Sequence, residues 1–102
     1  MGTRSMGGPF EYVPDFITNM NQLGIISDKS WYIDGTRSRQ LKDHPVPGVG
    51  ATALVENISP YVFRVTLTRV TEAASVQIYI AYFSNIENKR TSPWTVIDGK
   101  EV

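Results

Sequence analysis

The chain has no cysteine and a single histidine among its 102 residues. The missing thiols exclude disulfides, thiolate metal sites, iron–sulfur clusters and cysteine nucleophiles together. They fit a reducing cytosol and equally a cysteine-poor exported subunit. Excess charge is missing too: ten basic and ten acidic side chains leave a formal net charge of zero. No global field therefore steers the chain towards nucleic acid or an anionic membrane. Apolar runs fall well short of the roughly eighteen residues a membrane-spanning helix needs, and the N-terminus carries no signal-peptide apolar block. The expectation is a soluble domain, either cytoplasmic or an exported one whose targeting segment is absent, with no transmembrane segment in this chain.

What is present reads as globular. Aliphatic and aromatic residues make up 41% of the chain and charged residues 20%, too apolar for a disordered segment. The length suits one domain. Residues 1–8, with a second methionine at Met6 and a Gly-Gly pair before Pro9, read as a tag or disordered lead-in. Residues 9–102 then form a single α+β domain.

Charge also balances locally. Residues 1–51 carry Arg4, Lys29, Arg37, Arg39 and Lys42 against Glu11, Asp15, Asp28, Asp34 and Asp43. The one local excess is Arg37, Arg39 and Lys42, closed by Asp43.

Periodicity predicts a helix from Pro14 to Leu23. Pro14 suits the first helical position, Asp15 favours the dipole, and Gly24 can end the helix. Val13, Phe16, Ile17, Met20 and Leu23 form one apolar stripe at helical spacing. Residues 27–50 are rich in Asp, Ser, Gly and Pro and read as irregular, apart from a short strand over 30–33 ended by an Asp34-Gly35 turn. Such a stretch is where a site is expected.

The second half reads as sheet. Ala51–Val55 is a strand, and 57–60 a turn. Tyr61, Phe63, Val65 and Leu67 then alternate with polar residues at period two. Val76–Phe83 is apolar throughout, as a central strand would be, and Trp94–Ile97 closes the set before an Asp98-Gly99 turn. A four-residue loop over 72–75 sets Thr71 opposite Val76, Leu67 opposite Ile80 and Val65 opposite Tyr82. Slipping by one residue would turn Ile78 and Ile80 to the wet face, so the first register is preferred.

The fold class expected is α+β: one N-terminal amphipathic helix packed on an antiparallel β-meander of about four strands. Phe16, Ile17, Met20 and Leu23 would pack on Phe63, Val65, Leu67, Ile78 and Ile80. This layout is similar to that of the soluble heads of pilin-like and pseudopilin subunits and of small phage structural proteins, a likeness of layout and not of residues.

Chemistry is sparse. His44 is the sole candidate for a histidine base, with Ser27, Ser30, Ser38, Asp34 and Asp43 in the same stretch. No Gly-x-Ser-x-Gly elbow or oxyanion-hole segment accompanies them. Asp28, Asp34 and Asp43 lack calcium-loop spacing, and the glycines at 48 and 50 lack a nucleotide fingerprint. Asn57-Ile-Ser59 is a glycosylation triplet followed by Pro60, which reads as a turn. No catalytic residue, metal or cofactor is expected, and the domain is read as non-enzymatic.

Eleven aromatics and two strongly apolar strands point instead to surface interaction. The expected function is a protein-interaction or structural domain, a subunit of a larger surface, pilus-like, secretion or phage assembly. Its partner is a protein or a second copy, reached through Trp31, Tyr32, Arg37, Arg39, Lys42 and Trp94. The alternative is a single-stranded nucleic-acid binder that uses Arg37, Arg39 and Lys42 for phosphates and Trp31, Tyr79, Tyr82 and Phe83 for stacking. Zero net charge disfavours it.

Overall fold

The computed structural model describes residues 11–69 and 76–99. The lead-in over 1–8 and the 72–75 turn lie outside the described residues. Seven strands share one mixed sheet: β1 (Glu11–Tyr12), β2 (Lys29–Ile33), β3 (Ala51–Ser59), β4 (Val62–Arg69), β5 (Val76–Ser84), β6 (Lys89–Arg90) and β7 (Thr95–Gly99). The spatial order is β1 to β6 in sequence, with β7 also on β5. The β1–β2 pair is parallel and every other pair antiparallel.

This overturns the expected architecture. Strands account for 50% of the described residues and helix for 16%. No N-terminal amphipathic helix lies on a four-stranded meander, so the likeness to pilin-type layouts loses its basis. The Pro14–Leu23 segment begins as a turn, with the Ile17 amide donating to the Pro14 carbonyl. It becomes extended at Asn19, whose φ of −145° and ψ of 142° break any helix there. Only Met20–Ile26 winds, as a 3-10 helix.

Its start is a capping box. The Asn19 side chain accepts from the Asn21 amide, and the Gln22 side chain accepts from the Asn19 amide at 2.9 Å. Three residues per turn align Met20, Leu23 and Ile26 on one edge. Met20 and Leu23 are fully buried and Ile26 packs on the core. The apolar stripe is therefore real, but a three-residue spacing does not separate an α-helix from a 3-10 helix. Phe16, at 58% exposure, drops out of it.

The second helix, α1 (Gly35–Gln40), was not expected. Asp34 caps it through a 2.7 Å bond from the Arg37 amide. The Asp34-Gly35 pair is a helix start, and Asp98-Gly99 lies within β7.

The core occupies one face of the sheet. Ile33, Ala51, Ala53, Val55, Phe63, Val65, Leu67, Ala81 and Phe83 are buried there with Ile17, Met20, Leu23 and Leu41. The Phe63 and Phe83 rings stack at 5.1 Å between centroids. That stack fixes the β4–β5 register, which is the one rejected on sequence grounds. Leu67 faces Tyr79 and Val65 faces Ala81. Burying Phe83 beside Phe63, with the small Ala81 next to it, outweighs hiding Ile78 and Ile80, which go to the opposite face.

Candidate functional site: the open face of the sheet

Alternation along each strand sends every second side chain away from the core. The cross-strand rows on that far side follow from the register. One row runs Tyr12, Tyr32, Thr52, Thr68, Ile78 and Ile97 across β1, β2, β3, β4, β5 and β7. The next runs Ser30, Leu54, Thr66, Ile80 and Thr95, and a third Glu56, Arg64 and Tyr82. Met20 and Leu23 of the 3-10 helix and Leu41 after α1 join the core, and among the described residues only Gly50, at the rim beside Tyr32, borders the far face from outside the strands.

The aromatic end is ordered. Tyr12 and Tyr32 meet edge to face at 5.2 Å, a favourable arrangement of ring quadrupoles. Gly50 makes room for Tyr32, since a Cβ there would stand 2.9 Å from the Tyr32 hydroxyl. At the aliphatic end Ile97 is 49% exposed, while Ile78 and Ile80 are half-buried by their neighbours on the sheet. The third row is neutralised internally: Arg64 pairs with Glu56 at 2.7 Å. Its hydrogen bond to Glu56, reinforced by Tyr82, holds the guanidinium pKa above its ordinary value.

Of the six residues singled out from sequence, only Tyr32 belongs to this surface. Trp31 is buried on the core side, with its indole N–H donating to the Ile26 carbonyl at 2.8 Å and the Lys29 ammonium 4.9 Å from its ring. Trp94 leans edge-on against Phe83 at 5.8 Å and donates to the Asp43 carbonyl at 3.0 Å. Arg37 reaches back to the carbonyls of Pro14 and Ile17 and ties α1 to the segment before the 3-10 helix. Arg39 lies against Gly48, where a Cβ would stand 3.2 Å from its guanidinium. Lys42 is exposed and borders a cleft. Arg37 is thus engaged with backbone carbonyls, while Arg39 and Lys42 are exposed. The proposed stacking residues diverge: Phe83 and Trp31 are buried and Tyr79 packs on the core, whereas Tyr82 is on the open face.

The cleft, about 580 Å³, lies between the 3-10 helix and the β5–β6 turn and is bordered by Thr18, Asn19, Asn21, Gln22, Gly24, Ile25, Lys42, Asn85 and Asn88. Its amides are largely engaged in holding the backbone. Gln22 Oε1 accepts from the Thr18 amide and hydroxyl and from the Asn19 amide. Asn21 Nδ2 donates to the Asn88 carbonyl, which ties the helix to the turn.

His44 is buried, 7% exposed. Its Nδ1 accepts from the Val46 amide at 3.1 Å, so the proton resides on Nε2, which has no partner among the described residues. Burial lowers its pKa from 6.5 to about 4. Ser38 is also fully buried, donating to the Gly35 carbonyl and accepting from the Gly48 amide. It makes no contact with His44 of the kind nucleophilic catalysis requires. Among the described residues no cluster of three potential metal ligands occurs and no helix is long and apolar enough to cross a membrane.

The one sequence signal for the open face was the Ile78 and Ile80 pair, present in the alternative register that was set aside. In comparison with known proteins, the chain matches no family model, and no curated protein is detectably similar to it.

Proposed function

We propose that this domain is a non-enzymatic protein-interaction module, a subunit that docks into a larger assembly by burying the open face of its sheet. The observation that carries this reading is the amphipathic far side. Leu54, Ile78, Ile80, Tyr82 and Ile97 share it with threonines, and such a surface gains free energy when covered. Antiparallel sheets tolerate one solvated face when its residues are polar, but here the wet positions of β5 are isoleucines. The arrangement also favours binding over catalysis, since His44 and Ser38 are buried in structural roles.

The test compares proteins retained from a source lysate by the wild-type chain and by Ile80→Lys. Partners that require the open face are retained by the first and lost with the second. An identical retained set, with both chains folded, overturns the proposal.

A further inference from the structure

We infer that the open face is covered by a second copy of this chain, the two sheets packing face to face as a β-sandwich across a two-fold axis. This rests on the docking reading above and adds the identity of the partner.

Area is the first argument. The three rows hold six, five and three positions, which at about 4.8 Å between strands and ~6.8 Å between alternate residues cover on the order of 450 Å² in plan. That is below the ~800 Å² per partner of a standard interface and suits a weak, reversible dimer. Charge is the second. In the rows from β2 to β7 the only described charges are Glu56 and Arg64, which neutralise each other at 2.7 Å. Lys89, at the β6 corner, pairs with Glu87 at 3.2 Å. A strongly charged partner finds nothing complementary here, whereas an identical copy meets no unpaired like charge.

The third argument is self-complementarity. A two-fold axis lying between the layers, along the β3–β4 pair, sets β2 of one copy over β5 of the other and β1 over β7. Tyr32 then lies on Ile78 and Ile80, and Tyr12 on Ile97, while the threonines of β3 and β4 meet at the axis. Aromatic rings at one end and branched aliphatics at the other are brought together twice by one operation. Aligned sheets pack about 10 Å apart in this way.

The absence of cysteine supplies a clean test. Sedimentation equilibrium on the full chain across micromolar to high-micromolar concentration reads the association state. Thr66→Cys places a lone thiol beside the axis, to be bridged by a bismaleimide spanning about 10 Å, the inter-sheet distance. Thr36→Cys, exposed on α1, is the control. The expected result is a dimer in which Thr66→Cys cross-links and Thr36→Cys does not. Ile80→Lys should weaken that dimer by about a hundredfold or more, because it would bury an unpaired ammonium. Leu54→Lys makes the same test from β3 should Ile80→Lys fail to fold.

A dimer that survives both lysine variants and lacks the Thr66→Cys cross-link overturns the inference, placing the contact elsewhere, for example on the outer edge of β7. A wild-type monomer at every concentration also overturns it. In that case dye binding by 1-anilinonaphthalene-8-sulfonate that is lost in Ile80→Lys leaves the docking reading standing with a different partner. A monomer without such binding removes both.

Discussion

Lowering the pH from 7 to 4 should destabilise this protein through His44 alone, beyond the ordinary protonation of carboxylates. Its ring is buried and neutral, with the Nε2 proton unpartnered among the described residues. The unfolded chain binds a proton at about 6.5, but the folded chain resists until about 4. Between those values the unfolded state holds more protons, so stability falls as pH falls. The contribution is absent above pH 7, grows from about 6.5 downwards and is complete below about 4. A displacement of that size corresponds to roughly 3 kcal/mol at 1.36 kcal/mol per unit. The ring lies just beneath the surface, where water and relaxation screen part of this, which leaves about 2 kcal/mol. The comparison variant is His44→Asn, whose amide oxygen can still accept from the Val46 N–H but does not titrate. Urea unfolding at pH 7, 6, 5 and 4 should show the wild type losing about 2 kcal/mol more than the variant. The imidazole proton resonances should titrate near 4. Parallel losses in the two chains, with a midpoint near 6.5, would refute the burial argument.

Three further perturbations test the packing. Gly24→Ala would put a Cβ 2.6 Å from Asn85 Oδ1 and 2.7 Å from two carbons of the Phe63 ring. Asn85 can swing aside, but Phe63 is pinned against Phe83, so a loss of about 1–3 kcal/mol is expected by chemical denaturation. Arg37→Met keeps the aliphatic stem but leaves the Pro14 and Ile17 carbonyls without the guanidinium. It should cost about 2 kcal/mol in the same assay, whereas Arg39→Met should cost little. Asp34→Ala removes the cap of α1 and should lower stability by about 1 kcal/mol. A neutral outcome there would mean that α1 is held by tertiary contacts and not by its cap.

Much of the fold was legible locally because local physics produced it. The period-two pattern buried Phe63, Val65 and Leu67 as read, since alternation on a one-sided sheet leaves little choice, whereas Tyr61 stands exposed in the turn before β4. Of the stripe Val13, Phe16, Ile17, Met20 and Leu23, all but the exposed Phe16 lie in the core. The α-helix expected along it does not form, because Asn19 has two competing uses. As a helix interior residue it would contribute little; as an extended cap it satisfies the Asn21 amide, and its strand-like backbone bridges to Lys42. The Asn-x-x-Gln signature of that cap stood in the sequence, as did Asp34 before α1. The surroundings of the candidate interaction residues depend on distant parts of the chain. Trp94 and Arg37 have carbonyl partners many residues away, which no local pattern announces, and Trp31 turns to the core side with its indole N–H on the Ile26 carbonyl.

By itself the sequence determined that this chain has no thiol chemistry, no charge asymmetry and a single histidine, and that its second half is sheet. Composition and period depend on neighbours along the chain and need no tertiary information. Only the tertiary structure decided which way β5 faces. A shift of one residue exchanges Tyr79, Ala81 and Phe83 with Ile78, Ile80 and Tyr82, and both sets are apolar enough to line a core. The choice falls to the aromatic stack between Phe63 and Phe83. It leaves the isoleucines outward and turns an ordinary wet face into a surface that gains from being covered.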